Sequence, residues 1–236
     1  MMTDIEKIKN IALLFLNLPY DVDDNDIGLF LYHPIIRDVY QVLVSEDGKH
    51  EIVNVLEKDN WEKIINQFKQ LIMKAKKIKD FYMIFNKPYF GVFFKYINQY
   101  LSIEDYNSFL KYLWVYMEYP NNDKNVSKKE FIEYFKKIDK NIFMNKEEID
   151  VYNNLPDEIV VYRGVKPNST YKALSWTLNL DTATWFVDRF EKDGKVYKAT
   201  INKKYIFTYI GERNEFEVVL DYRKLKNIEI KDDVNE

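Results

Sequence analysis

Apolar residues change their spacing near residue 155, and that change limits the fold more than any other feature of the chain. Before it, stripes recur at three- and four-residue intervals: Trp61/Ile64/Ile65/Phe68/Ile72, Phe109/Leu110/Leu113/Trp114/Met117 and Phe131/Tyr134/Phe135/Ile138. Such stripes predict amphipathic helices that bury one face. After it, the runs are short and β-rich: "LPDEIVVYRG", "KALSWT", "KVYKATIN", "YIFTYI", "FEVVLD" and "NIEI". One helix interrupts them, opened by Asp181 in "LDTATWFVDRF". The expected architecture is therefore α+β: a mainly helical region over residues 1–150, then a strand-rich one over 151–236. No Gly/Ser/Pro linker separates the two, so they are also compatible with one folded unit.

Start signals support the helices. Asp59-Asn60-Trp61-Glu62, Ser102-Ile103-Glu104-Asp105, Ser127-Lys128-Lys129-Glu130 and Asn145-Lys146-Glu147-Glu148 each pair a capping residue with a carboxylate three positions on. Within the helical region, "VYQVLVSEDGKHEIVNVL" reads as a β-hairpin turning at Asp47-Gly48. Lys69, Lys74, Lys76, Lys77 and Lys79 read as the solvated face of an amphipathic helix rather than as a phosphate patch. The stretch from Asn121 has oxygen ligands at alternate positions. It puts Val126 where a calcium loop needs Gly and Ile132 where it needs Glu, so it reads as a polar loop.

Composition removes whole classes of chemistry. With no cysteine among 236 residues there are no disulfides, Cys-ligated zinc, iron–sulfur clusters or thiol nucleophiles. His33 and His50 are the only histidines, too few for a histidine metal site or a Ser-His-Asp triad to be expected. Residues 1–150 hold 21 Lys/Arg and 24 Asp/Glu, whereas residues 151–236 hold 14 of each; neither part has the basic excess of a dedicated nucleic-acid binder. The apolar run IALLFLNL near the start is too short to span a bilayer and is followed by acidic residues. A cytoplasmic protein with no membrane association is the expectation.

Three features of the strand-rich region stand out together. Arg163 ends the run "IVVYRG" and is followed by Gly164; its planar fork suits phosphate or carboxylate. Ser175 and Thr177 flank Trp176, so on a strand two hydroxyls share one face. Glu215 and Glu217 flank Phe216 at the head of an apolar run. On a strand both carboxylates would face the same way, with Cα atoms about 6.5–7 Å apart. Phe216, Val218 and Leu220 would form the buried face.

In that order, "YRG", "LSWTLNLDTATWFVDRF" and "NEFEVVLD" resemble the mono-ADP-ribosyltransferases of the arginine–serine–glutamate class, of bacterial and phage type, over residues from about 155 to 225. Ser175-Trp176-Thr177 departs from the Ser-Thr-Ser of many relatives but keeps the first serine. The resemblance implies a split β-sandwich that binds NAD as substrate and needs no metal. In it Glu217 binds the ribose and stabilises an oxocarbenium-like state, and Glu215 activates the acceptor. Arg163 and Gly164 lie at the dinucleotide, Ser175 positions Glu217 and the nicotinamide end, Thr177 is a further cofactor-binding residue, and Phe186 or Phe190 packs on NAD, although Trp185 and Phe186 read first as core. Tyr209, Glu212, Arg213 and Asn214 are the implied target-recognition residues.

The implied acceptor is a macromolecule. Protein arginine is favoured by the first glutamate of E-x-E, with nucleic acid still open. An inhibitor or antitoxin partner is a further expectation, as are toxin and phage-effector roles. Two other readings stand beside the transferase: an NAD glycohydrolase, and a non-catalytic module that holds NAD or a partner. The helical region would dock substrate, cover the cleft or regulate.

Overall fold

The computed structural model describes residues 1–25, 28–36, 41–46, 49–117, 119–167, 169–189 and 194–231. Asp47 and Gly48, the expected hairpin turn, lie outside them, as does Phe190. The chain divides into two compact units, Met1–Pro120 and Asn121–Glu236. Helices and sheet are mixed, with most helix early and a six-stranded sheet late. Among the described residues no helix is long and apolar enough to cross a membrane.

The first unit holds α1 (Ile5–Leu16), β1 (Asp21–Asn25), β2 (Gly28–Tyr32), β3 (Gln41–Glu46), β4 (Lys49–Asn54), α2 (Lys58–Lys74), α3 (Phe90–Ile97) and α4 (Ile103–Tyr116). The β3–β4 hairpin forms in the expected register, with Glu46 opposite Lys49. A second hairpin, β1–β2, was not expected from "DVDDN", a run with poor strand propensity; pairing with the apolar β2 overrides it. The core is built on rings. Phe85 and Phe93 stack at 3.8 Å, and Phe15, Phe81 and Phe109 pack around Phe93 at 5.8–6.1 Å. Edge-to-face and offset geometry of this kind adds to the area that each ring buries. Helix α2 starts at Lys58 rather than after an Asp59 cap, with Glu57 at its N-cap. It ends at Lys74, so Lys76, Lys77 and Lys79 lie beyond it; all five lysines are exposed.

The second unit begins about thirty residues before the expected boundary at 150. It takes α5 (Lys128–Phe135), α6 (Lys140–Phe143) and α7 (Lys146–Asn154) as well as the strands β5 (Glu158–Val165), β6 (Ser175–Thr177), β7 (Lys195–Asn202), β8 (Ile206–Ile210), β9 (Glu217–Leu220) and β10 (Lys226–Lys231), with α8 (Leu180–Asp188) between β6 and β7. The three helices belong here because each meets strand β8 or its end: Phe135 on α5 stacks on Phe207 at 6.2 Å, Lys140 on α6 donates to the Ile206 carbonyl (3.4 Å), Tyr152 on α7 donates to the same carbonyl (3.2 Å), and Glu148 Oε1 accepts from Gly211 N (3.0 Å). Ser127 and Asn145 form full capping boxes with Glu130 and Glu148, as their spacing predicts.

The sheet runs β10-β7-β5-β6-β9-β8, with every neighbouring pair antiparallel. It is nearly divided. Strands β5 and β7 pair from Glu158 to Val165, but β5 meets β6 at a single register pair, Tyr162 opposite Thr177. Helix α8 covers the sheet at Gly164, where a Cβ would fall 2.0 Å from the Ala183 carbonyl oxygen; only glycine lets helix and strand approach so closely. At the outer edge, β10 is exposed throughout and carries Lys226 and Lys231, charges that discourage edge-to-edge pairing.

Candidate functional site

The residues singled out in the strand-rich region converge on the place where the sheet divides. Register builds one row across five strands: Lys198, Tyr162, Thr177, Glu217 and Ile210. Residues in such a row point to one face. Glu217 therefore shares its face with Thr177 directly opposite and with Ser175 two residues along β6. The residue is only 5% exposed. Tyr162, not singled out from the sequence, lies in the same row and packs with Leu180 against Ala183, Val187 and Val196 beneath α8.

Arg163 follows Tyr162 where β5 and β6 part. Its Nη1 donates to the Ser175 carbonyl (2.5 Å), so the guanidinium braces β6 across the gap. Its Nε is buried without a hydrogen-bond partner. Burial pushes the guanidinium down to about 10, and the negative charge of Glu217 opposes that shift. The arginine remains charged at neutral pH and is within electrostatic reach of the buried glutamate.

Glu215 is not on the strand. The strand begins at Glu217, and Glu215 ends a short 3-10 turn formed by Glu212–Asn214, with helical φ and ψ of −87° and −5°. The turn includes three non-glycine residues at positive φ: Arg213 (69°), Asn214 (56°) and Phe216 (49°). Such conformations cost roughly 1–3 kcal/mol each where surrounding structure imposes them, and they gather at functional sites. The left-handed Phe216 also breaks the expected alternation. It is 42% exposed instead of buried, while Val218 and Leu220 form the core face without it.

The turn is clamped from both sides. Thr177 Oγ1 donates its one proton to the Glu215 carbonyl (2.7 Å) and accepts from Asn179 N (3.1 Å); Leu178 N donates to the Phe216 carbonyl (3.0 Å). At the other end Gly211 N is held by Glu148. The Thr177 hydroxyl is thus committed to the backbone beneath Glu215. Tyr209 is buried beside Gly211, its hydroxyl held above the usual range by burial and by the Glu148 charge, whereas Glu212, Arg213 and Asn214 are exposed.

Between this turn and α8 lies an open pocket of about 330 Å³ lined by Asp181, Thr182, Trp185, Arg213, Asn214 and Glu215. Asn179, not Asp181, caps α8, accepting from Thr182 N (2.9 Å). This leaves the Asp181 side chain at the pocket wall. Trp185 is 51% exposed, against its expected place in the core. Phe186 is half-buried, with its Cβ turned toward Gly164, so the ring presented to the pocket is Trp185. The sequence carried a signal for this: Trp185 falls off the Ala183/Val187 stripe by which α8 packs on the sheet.

Burial raises the Glu215 carboxyl above the usual range and the Glu217 charge adds to this, while Arg213 and Arg189 oppose it. Arg213 Nη2 lies 3.3 Å from Glu215 Oε2, and Arg189 sits over the Trp185 ring at 5.3 Å. The chain has 5 arginines against 30 lysines, yet Arg163, Arg189 and Arg213 all act on the two glutamates. Among the described residues no three His, Asp or Glu side chains group as a metal site. In comparisons with known proteins, no family model, no curated protein and no solved structure matches the chain. The resemblance to the arginine–serine–glutamate class rests on the motif residues alone.

Proposed function

We propose that the chain is an NAD⁺-dependent mono-ADP-ribosyltransferase whose strand-rich unit is a split-sandwich catalytic domain. The observation that carries this reading is the pair of glutamates in unlike settings at the division of the sheet. Glu217 is buried in the row with Thr177 and lies within electrostatic reach of Arg163; Glu215 opens on a pocket with its carboxyl raised. Two carboxylates held in different environments can take different roles in one reaction.

In the reaction the bond between ribose C1 and the nicotinamide nitrogen breaks, and the bonding electrons leave with nicotinamide. The ribose carbon becomes oxocarbenium-like, as in sugar hydrolysis. A buried carboxylate placed beside it stabilises that charge without having to reorganise, which is the role of Glu217. A nitrogen of the acceptor then bonds to C1 and its proton passes to Glu215, whose raised pKa brings it closer to the working range of a general base. Arg163 acts chiefly as the brace that holds Ser175 and β6 in place, with Gly164 allowing α8 to close over the sheet. Thr177 fixes the backbone of Glu215. The acceptor is macromolecular, with arginine favoured.

The test is incubation of the purified chain with NAD⁺ carrying a labelled adenylate, with and without cell lysate, following free nicotinamide and bound label. Cleavage with label transfer supports the transferase, and cleavage with no transfer means that water is the acceptor. If no nicotinamide is released under any condition, the enzyme reading falls.

A further inference from the structure

We propose that Glu148, on α7, is a positioning residue for Glu215. It holds the Gly211 end of the strained 212–216 turn, and so fixes where the proposed base stands, from a helix that carries none of the motif residues. Glu148 is only 2% exposed, and a buried carboxylate is costly unless hydrogen bonds satisfy it. Its two oxygens serve different parts of the chain: Oε2 accepts from Asn145 N (2.9 Å) and Oε1 from Gly211 N (3.0 Å). In the other capping box of this unit, Ser127 N and Ser127 Oγ both donate to a single oxygen, Glu130 Oε2, and Glu130 is not buried. A capping box asks for one carboxylate bond to the cap backbone. The bond from Gly211 is therefore additional to capping and belongs to the turn.

Gly211 is the right place to hold. Asn214 N donates back to the Gly211 carbonyl (3.2 Å), so fixing Gly211 fixes the start of the loop. The left-handed Arg213, Asn214 and Phe216 follow, conformations that persist only where surrounding structure imposes them. On the far side Thr177 and Leu178 hold the Glu215 and Phe216 carbonyls. With the Gly211 end released, the turn can relax toward ordinary φ and carry Glu215 with it, while Glu217 stays paired between Thr177 and Ile210. The inference rests on the proposed transferase for the role of Glu215, though not for the hold of Glu148 on the turn.

Two measurements on the full chain test it, with unfolding curves showing each variant to be folded. The first needs no NAD⁺ and follows amide hydrogen exchange. A glutamine has one acceptor oxygen and cannot serve both N–H groups. Glu148→Gln should therefore speed exchange across Gly211–Phe216 by at least about tenfold, the scale of one lost charged hydrogen bond. Glu148→Asp, which keeps the charge but is a methylene too short to span both bonds, should do the same if the glutamine variant does not fold. Asn145→Ala removes the acceptor of Glu148 N and weakens the helix cap alone, so the turn should exchange at close to the wild-type rate. The second measurement is label transferred per nicotinamide released. Glu148→Gln should lower that ratio by at least about fivefold, as misplacement of a base does, with nicotinamide release nearly unchanged. Asn145→Ala should leave the ratio as it is, because loss of stability lowers transfer and release together. Wild-type exchange of the turn in both Glu148 variants, or a wild-type ratio in them, would overturn the proposal. No nicotinamide release by wild type would instead sink the transferase reading, and faster exchange in Glu148→Gln would still support the hold on the turn.

Discussion

Replacing Gly164 by alanine probes the contact that sets α8 over the sheet. The new Cβ would lie 2.0 Å from the Ala183 carbonyl oxygen and 3.1 Å from both Ala183 C and Phe186 Cβ, against an ordinary contact of 3.4 Å or more. The first two obstacles are backbone, so no rotamer change relieves them. Helix α8 must move off β5 by more than 1 Å, opening the packing of Ala183, Val187 and Val196 against Tyr162 and Leu180. Overpacking of this kind costs about 1–3 kcal/mol. For a unit of this size that is a fall in melting temperature of about 5–15 °C. Thermal and urea unfolding followed by circular dichroism would measure the loss. Gly211→Ala is the control: its φ is −90° and its Cβ would meet nothing nearer than 3.4 Å, so it should be nearly neutral. A Gly164→Ala protein as stable as wild type to within about 0.5 kcal/mol would refute the close-approach reasoning.

Thr177→Val keeps the shape but removes the hydrogen bond to the Glu215 carbonyl. It should cost about 1–2 kcal/mol in urea unfolding, and Thr177→Ser should restore most of it. His33 is fully buried, its Nδ1 accepting from Ile35 N and Ile36 N, and burial pushes it down to about 4. The unfolded chain therefore takes up a proton below about pH 6.5 that the folded one refuses until about pH 4. Stability of the first unit should fall through that window, by up to about 3 kcal/mol, and His33→Gln should flatten the dependence.

Local chemistry was legible in the sequence, and long-range geometry was not. Ser102, Ser127 and Asn145 cap their helices as their spacing predicts, because a cap is settled within four residues. The six late strands fall on the six β-rich runs. Glu217 lies opposite Thr177 and diagonal to Ser175, a register that the motif order alone does not give. Glu215 and Phe216 defeated the alternation rule because three residues adopt left-handed φ without glycine, held there by Thr177, Leu178 and Glu148 from distant parts of the chain. The unit boundary at Pro120 was hidden for a related reason: α5–α7 have helical periodicity like the first unit, but their partners are on the sheet. Trp185 looked like core because it is large and apolar, although it falls off the Ala183/Val187 stripe, and the position of α8 on Gly164 bears out that stripe as the packed face.

The central claim is that Glu217 stabilises a developing positive charge on the ribose of NAD⁺. Its most direct measurement is the rate of nicotinamide release by wild type and by Glu217→Gln, with unfolding curves showing both to be folded. Wild type should release nicotinamide, and the amide should lower the rate by at least about a hundredfold, the scale set by loss of one preorganised electrostatic group. A Glu217→Gln protein that cleaves NAD⁺ at the wild-type rate would contradict the account.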